Sequence, residues 1–234
     1  MPQGGEGLVW ASVIDVVGIG DDGWVGLDEG RRGLVRDAAT VLSLARRTAA
    51  AELSERVTGE LSRLAMGAAT VTVEVRGAEP GPTGADVVAI VLAANPGEPG
   101  RSITKAASGG ELSRVMLALE VALGAGESGP DVPIFVFDEV DAGVGGAAAR
   151  DVGARLAALA RHTQVIVVTH LAQVAAYADH HLVVAKATDG SVTASDVQVV
   201  DGATRVDEIA RLLAGSVSET ARQHARELLA DARS

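Results

Sequence analysis

Two carboxylates stand directly after a short apolar run in this sequence. Ile134–Phe137 consists of four apolar residues, and Asp138 and Glu139 follow without a gap. The run predicts a strand buried on both faces, and ligand sites of open α/β sheets lie at the carboxyl ends of strands. An acid there can hold Mg²⁺, usually through water, while its neighbour polarises an attacking water. The alternative is that both acids only cap the turn that follows.

A second candidate site opens a predicted helix over 109–123. Ser108, Gly109, Gly110 and Glu111 stand in sequence at its start. The two glycines leave backbone N–H groups approachable, and the dipole of a helix favours an anion at its N-terminus. Ser-x-x-Glu is also a capping box, with Ser108 as N-cap and Glu111 at the third helical position. The two interpretations are compatible.

Two further polar residues belong to the same stretch of chain. Residues 165–168 form another apolar run, which Thr169 and His170 follow, and Asp141 lies between the two runs in a glycine-rich turn. A histidine at the end of such a strand can hydrogen-bond a phosphate, although a structural histidine is the commoner case.

A long amphipathic helix is predicted upstream, starting near Arg31. Its apolar residues recur every three or four positions, which is the helical period. It is either one arm of a coiled coil or a single surface helix. The predicted apolar face consists of Leu34, Ala38, Val41, Ala45, Ala49, Leu53, Val57, Leu61 and Leu64.

The remaining elements alternate between strands and helices. Residues 71–76 alternate apolar and polar, and a second apolar run at 87–93 ends at Asn95-Pro96-Gly97, so the two predict an antiparallel element. Further strands are predicted at 134–137, 165–168, 182–185 and 192–200, the last two joined by an Asp189-Gly190 turn. Further helices are predicted at 147–160, 171–176, 205–213 and 218–230. This alternation predicts an α/β fold with a partly parallel sheet.

Composition narrows the range of functions. The 234 residues are 47% hydrophobic and include no cysteine, which excludes disulfides, thiolate metal sites and cysteine nucleophiles within them. Acids outnumber bases 31 to 20, so this segment alone should bind DNA phosphates weakly. The sequence lacks the run of about 20 apolar residues that a membrane helix needs, and we expect a soluble chain in the cytoplasm.

The ordered set of motifs resembles the C-terminal half of ABC-type P-loop ATPase heads. This set comprises Ser-Gly-Gly-Glu-Leu opening a helix, a strand ending in Asp-Glu, Asp141 in a turn, and a strand ending in histidine. The longer matches are similar to RecN-type DNA-repair ATPases, and they cover residues 95–99, 105–114, 137–146, 168–175 and 210–215.

This resemblance implies a role for each site residue. Asp138 would help to position Mg²⁺, Glu139 would orient the attacking water, and His170 would face the γ-phosphate of ATP. Ser108, Gly109 and Gly110 would contact the nucleotide of a second head, and Glu111 and Asp141 belong to the same nucleotide-binding set. ATP would clamp two heads together in the repair of DNA double-strand breaks. DNA would be bound through the full-length assembly, in the cytoplasm and near the nucleoid.

One motif of such heads is absent from these residues. The phosphate-cradling P-loop (Walker A) reads Gly-x-x-x-x-Gly-Lys-Ser/Thr, and neither Lys105 nor Lys186 has that spacing. We therefore expect no independent ATPase activity, and a requirement for the N-terminal half of the head. The alternatives are a non-catalytic interaction module and the head lobe of a condensin-like chromosome-structure ATPase. The predicted division is an irregular segment at 1–30, a long helix at 31–67, and the head lobe with its signature motif and Walker B strand at 68–234.

Overall fold

A computed structural model describes residues 29–81, 83–106, 108–123, 133–188 and 193–233. The predicted segment at 1–30 falls almost entirely outside these ranges, as does the Asp189-Gly190 turn. The helices are α1 (Glu29–Arg63), α2 (Ile103–Ala106), α3 (Gly109–Leu123), α4 (Gly146–Ala160), α5 (Ala172–Ala175), α6 (Gly202–Ala214) and α7 (Glu219–Asp231). The strands are β1 (Thr70–Gly81), β2 (Gly84–Ala93), β3 (Arg101–Ser102), β4 (Ile134–Phe137), β5 (Gln164–Val167), β6 (His181–Thr188) and β7 (Thr193–Val200).

Three small sheets are formed within these elements. β1, β2 and β3 form one sheet in that order, β4 and β5 form a parallel pair, and β6 and β7 form an antiparallel pair. The parallel register aligns Phe137 with Val167, so both strands end at the same edge. The predicted α/β class, with a partly parallel sheet and a long preceding helix, is confirmed.

Contacts divide the described chain into two compact units. One contains residues 29–54 and 72–91, and the other contains residues 55–71 together with the described residues from 92 onwards. The functional division at 1–30, 31–67 and 68–234 stays a prediction.

The buried face of α1 differs from the predicted one in its first half. Leu34 and Val41 are exposed, whereas Val35 and Ser43 are buried. The cause is a buried hydrogen bond between polar side chains. Asp86 of β2 is buried, and Ser43 Oγ donates to its Oδ2 at 2.6 Å. A buried carboxylate needs hydrogen-bond donors, so the helix face that carries Ser43 turns toward the strand.

The second half of α1 agrees with the prediction. Val57, Leu61 and Leu64 are fully buried in their own unit. After Arg63 the backbone N–H of Met66 donates to the carbonyl of Leu61 at 3.0 Å. Ala65 between them has φ of 58°, the left-handed conformation that ends many helices.

A layer formed by α5, α6 and α7 closes its own hydrophobic core, and we call it the helical layer. Ile209 and Ala225 are fully buried in it, with Leu228 beside them. α6 ends at Gly215, whose φ of 73° suits glycine, and Gly215 N donates to Arg211 O at 2.8 Å. Ser218 caps α7 by accepting a hydrogen bond from Ala221 N at 3.2 Å.

The strand pair β4/β5 corrects one prediction. Ile134–Phe137 was expected to be buried on both faces, but Ile134 is 59% exposed and Val136 is 66% exposed. Ile166 and Val168 are exposed in the same way on and just after β5. Alternation along a strand explains the pattern, because only the side with Phe135 and Phe137 packs inward in the described part of the chain. We call Ile134, Val136, Ile166 and Val168 the open face.

No helix among the described residues is both long enough and apolar enough to cross a bilayer.

Candidate functional site

The parallel pairing of β4 and β5 brings the predicted site residues to one edge. Beyond the paired residues, Val168 N donates to Phe137 O at 3.0 Å and continues the ladder. Asp138 and Glu139, which follow β4, therefore lie at the same edge of the sheet as Thr169 and His170, which follow β5. This placement agrees with the rule that ligands bind beyond the carboxyl ends of parallel strands.

The loop after β4, residues 138–142, contains both exposed and buried side chains. Asp138 and Glu139 are exposed, while Val140 and Asp141 are buried. Glu139 has φ of 57°, in the left-handed region that residues with a side chain rarely occupy. Ala142 N donates to Glu139 O at 3.0 Å and closes the turn. Such backbone persists only where surrounding contacts hold it in place.

Asp141 joins this loop to the end of β5. Its carboxylate is 3% exposed, and Oδ2 accepts hydrogen bonds from Thr169 Oγ1 and, at 3.2 Å, from His170 N. The same oxygen lies 3.3 Å from His170 Nδ1, while the His170 side chain is 75% exposed. The Asp141 carboxylate therefore contacts His170 on its Nδ1 side, and most of the imidazole ring remains exposed to solvent. Its predicted direct contact with nucleotide stays a prediction.

The start of α3 forms the predicted capping box. Ser108 N donates to Glu111 Oε2 at 2.8 Å, Ser108 Oγ donates to the same oxygen at 2.9 Å, and Glu111 N donates to Ser108 Oγ at 3.4 Å. The backbone N–H of Ser108, then its hydroxyl, lower the pKa of Glu111 from its usual value, and partial burial opposes them. The carboxylate therefore stays ionised at neutral pH and supports the helix start.

Both glycines of this turn lie against the loop after β4. A Cβ added at Gly109 would stand 2.8 Å from Glu139 Oε2, and one at Gly110 would stand 2.9 Å from Glu139 O and 2.6 Å from Ala142 Cβ. Glycine is therefore required at position 110 for the helix to approach the loop, whereas a side chain at position 109 would displace the end of the exposed Glu139 side chain.

Two polar residues of α3 contact the loop from the helix side, and sequence reasoning assigned them no role. Ser113 Oγ donates to Asp138 O at 2.7 Å, and Arg114 Nη1 donates to Ala142 O at 2.7 Å and to Val140 O at 3.4 Å. Burial lowers the pKa of the Arg114 guanidinium, and Glu111 opposes that change. In the sequence, an arginine next to a capping box indicates an exposed, charged helix face. No neighbouring residue indicated that Arg114 would be buried.

A divalent cation fits this edge only in part. Within the described residues there is no group of three or more acidic, histidine or cysteine side chains that could hold a metal. Asp138 is exposed beside the end of β4, and Mg²⁺ commonly binds to one or two carboxylates plus water and substrate phosphates. The residues are therefore compatible with Asp138 as a water-mediated contact to a Mg²⁺ whose other ligands come from a nucleotide.

The structure thus gathers most of the predicted residues into one cluster. Gly109 and Gly110 lie against Glu139, and Asp141 links the same loop to His170. Among the described residues, no hydrogen bond joins the Asp138 side chain to another predicted site residue. The cluster presents two exposed carboxylates, an exposed imidazole and a helix N-terminus.

The chain is similar in sequence to known DNA repair proteins. No family model matches the chain. It is 53% identical over 210 residues to the DNA repair protein RecN of Streptomyces coelicolor, covering 83% of this chain and 36% of that protein. RecN of Mycobacterium leprae is 50% identical over 218 residues, covering 84% of this chain and 36% of that protein. RecN of Treponema pallidum is 44% identical over 203 residues, covering 83% and 35%.

Solved structures give weaker likenesses. The Smc head domain with a coiled coil and joint from Pyrococcus yayanosii is 20% identical, with a TM-score of 0.44, and covers 78% of this chain and 29% of that one. The chain spans 36% of the length of the first RecN relatives that it matches. These sequence matches confirm its resemblance to RecN-type DNA repair proteins, and the matched segment fits the C-terminal part of such a protein.

Proposed function

We propose that this chain is the C-terminal half of an ATP-hydrolysing head that acts in recombinational DNA repair. The observation that carries the proposal is the shared edge of β4 and β5, where Asp138, Glu139 and His170 lie beside the N-terminus of α3. In this proposal the full-length assembly contacts DNA in the cytoplasm, at the nucleoid. This acidic chain supplies residues for ATP hydrolysis and contributes little affinity for DNA.

Each residue at this edge has a distinct role in the proposal. Asp138 helps to hold Mg²⁺, which when bound offsets the charge of the nucleotide phosphates. Glu139 accepts a hydrogen bond from the attacking water and orients it toward the γ-phosphate. His170 donates to the γ-phosphate through its exposed ring, because Asp141 occupies the Nδ1 side. The pairing with a buried carboxylate supports this orientation of the imidazole.

The turn at the start of α3 serves a second head in this proposal. The first N–H groups of a helix have no acceptor within the helix, and they point toward incoming anions. Gly109 is exposed, so its backbone is accessible to the phosphate of a nucleotide held by a partner head, while the N–H of Ser108, which is also exposed, donates to Glu111 in the capping box. The capping box keeps the helix start ordered before that phosphate arrives.

The open face supports a requirement for an N-terminal half. Ile134, Val136, Ile166 and Val168 form an exposed apolar surface on one side of a two-stranded sheet. β6 and β7 add exposed cross-strand pairs, Leu182 with Val199 and Val184 with Val197. Soluble proteins rarely leave such surfaces uncovered, and strands of an N-terminal half of the head would cover them.

The decisive experiment is Mg-ATP turnover by this chain with and without a RecN N-terminal half supplied as a separate polypeptide. We expect turnover only in the mixture, and Glu139→Gln should lower kcat by about 100-fold or more, because it removes the group that orients water. Glu227→Gln is the matched control, since Glu227 is an exposed glutamate on α7. It should leave turnover unchanged.

Two other outcomes would contradict the proposal. A stable complex without turnover would remove the catalytic assignment and favour the non-catalytic interaction module. Micromolar Mg-ATP binding by the isolated chain, measured by isothermal titration calorimetry, would show that the P-loop half is not needed for nucleotide binding.

A further inference from the structure

Arg114 is a buried charged residue that the proposed nucleotide chemistry does not use. It lies in the second turn of α3 and is 6% exposed. Its guanidinium donates to two backbone carbonyls of the loop after β4, Ala142 O at 2.7 Å and Val140 O at 3.4 Å. A buried guanidinium is costly unless it is hydrogen-bonded, so these carbonyls fix its position and it fixes theirs.

The neighbouring residue extends the same contact. Ser113 Oγ donates to Asp138 O at 2.7 Å, so α3 binds the loop carbonyls of residues 138, 140 and 142. Glu139 lies inside this span with φ of 57°. The contacts from α3 therefore hold carbonyls on both sides of the residue whose backbone is strained.

We propose that Arg114, assisted by Ser113, is a positioning residue that keeps the Glu139 backbone in its left-handed conformation and so aims the carboxylate. The inference rests on the proposed water-orienting role of Glu139, but the positioning itself is a property of this chain. Both hydrogen bonds come from Nη1, and the planar guanidinium fixes the direction of the N–H groups on that nitrogen, whereas the lysine ammonium rotates freely on a flexible chain.

The same contacts tie the loop to the N-terminus of α3. Gly110 leaves space for Glu139 O and Ala142, and the side chains of Ser113 and Arg114 bind the loop one turn further along. A ligand that shifts the start of α3 would therefore shift the Glu139 loop with it. In the proposed dimer, this links contact with a second head to the aim of the water-orienting carboxylate.

Arg205 offers a matched control elsewhere in the chain. It is 8% exposed, and its Nη2 donates to the carbonyls of Ala175, Ala176 and Ala178 at 3.3, 3.1 and 2.6 Å. Both arginines are thus buried and bound to backbone carbonyls, but Arg205 serves the end of α5 in the helical layer. Arg114→Leu and Arg205→Leu should lower stability similarly and differ in what they do to the Glu139 loop.

The first test is hydrogen–deuterium exchange of the isolated chain, which does not depend on ATPase activity. We expect Arg114→Leu and the milder Ser113→Ala to speed exchange across residues 138–142, and Arg205→Leu to leave those amides at wild-type rates. If Arg114→Leu does not fold, Ser113→Ala and Arg114→Lys carry the same test. Unchanged exchange at 138–142 in the folded variants would overturn the proposal.

The second test is turnover in the mixture with the N-terminal half. Arg114→Leu should lower kcat by about 10-fold or more while leaving KM for Mg-ATP unchanged, because the carboxylate is misaimed and nucleotide binding is intact. Arg114→Lys should recover only part of the loss, and Arg205→Leu should keep the wild-type kcat. If Arg114→Leu and Arg205→Leu lowered kcat equally, Arg114 would have only a structural role. Absence of turnover in the wild-type mixture would contradict the proposed function and leave the exchange result to decide the positioning.

Discussion

The helical layer and the strand pair β4/β5 use similar apolar residues with opposite results. Ile209 of α6 is 0% exposed, whereas Ile134 of β4 is 59% exposed. The helical layer has a core closed by its own residues and helix ends formed by Gly215 and Ser218. β4 and β5 leave one face open beside the residues to which we assign chemistry. The comparison shows that the helical layer buries its apolar residues among its own helices, while β4 and β5 leave one apolar face exposed.

A pair of isoleucine substitutions tests this comparison most strongly. Ile209→Ala should lower the free energy of unfolding by about 2–5 kcal/mol, because it removes a buried side chain from a closed core. Ile134→Ala should change it by no more than about 0.5 kcal/mol, since its side chain is already in contact with solvent. Urea unfolding followed by circular dichroism measures both. Equal losses would mean that the open face is covered in solution.

The two serine N-caps give the next largest effect. Ser108→Ala and Ser218→Ala should each lower the free energy of unfolding by about 1 kcal/mol at neutral pH. The difference between them is that Ser108 also holds Glu111, whose pKa lies below its usual value, through its backbone N–H and its hydroxyl.

The sign of the pH dependence follows from that lowered pKa. A carboxyl group with a depressed pKa in the folded state stabilises the fold above its usual pKa of 4.5, and this contribution disappears as the pH falls through the folded value. The stability loss caused by Ser108→Ala should therefore shrink as the solution is acidified below pH 4.5. Thermal melts of the wild type and both variants across acidic pH check this, and a Ser108→Ala penalty constant with pH would contradict it.

The smallest effect on stability belongs to the open face itself. Val136→Thr and Ile166→Thr, which are partners in the parallel register, should each alter unfolding by no more than about 0.5 kcal/mol. Together they should reduce self-association of the isolated chain, because they remove exposed apolar surface. Sedimentation velocity over a concentration series measures this. Unchanged self-association would show that another apolar surface mediates it, and the exposed pairs of β6 and β7 would be tested next.

Local sequence signals predicted much of this fold. α3 spans the predicted residues 109–123, β4 spans the predicted 134–137, and the Ser108–Glu111 capping box forms as expected. Asn95-Pro96-Gly97 forms a turn in which Glu98 N donates to Asn95 O at 3.1 Å and Gly97 has φ of 85°. Each of these features depends on residues within a few positions of one another, and helix caps and turns are specified at that range.

The candidate site was only partly predictable. The carboxylates and the histidine were found because they follow apolar strands, which is a local pattern. The contacts that hold them were not found, since Arg114 reaches Val140 and Ala142, and Asp141 reaches Thr169, only when α3, β4 and β5 pack together.

The sequence by itself determined where most helices and strands lie, although not β3 or α2. It also determined which polar residues end the two parallel strands, and that the P-loop spacing is absent from these residues. The tertiary structure decided which faces are buried: the Ser43 side of α1 rather than the Leu34 side, and only one side of β4. It also decided that Arg114 and Asp141 are buried and bound to their neighbours. The physical reason is that periodicity and capping arise between nearby residues. Burial of a charge or of a strand face depends on which distant elements supply donors, acceptors and apolar cover.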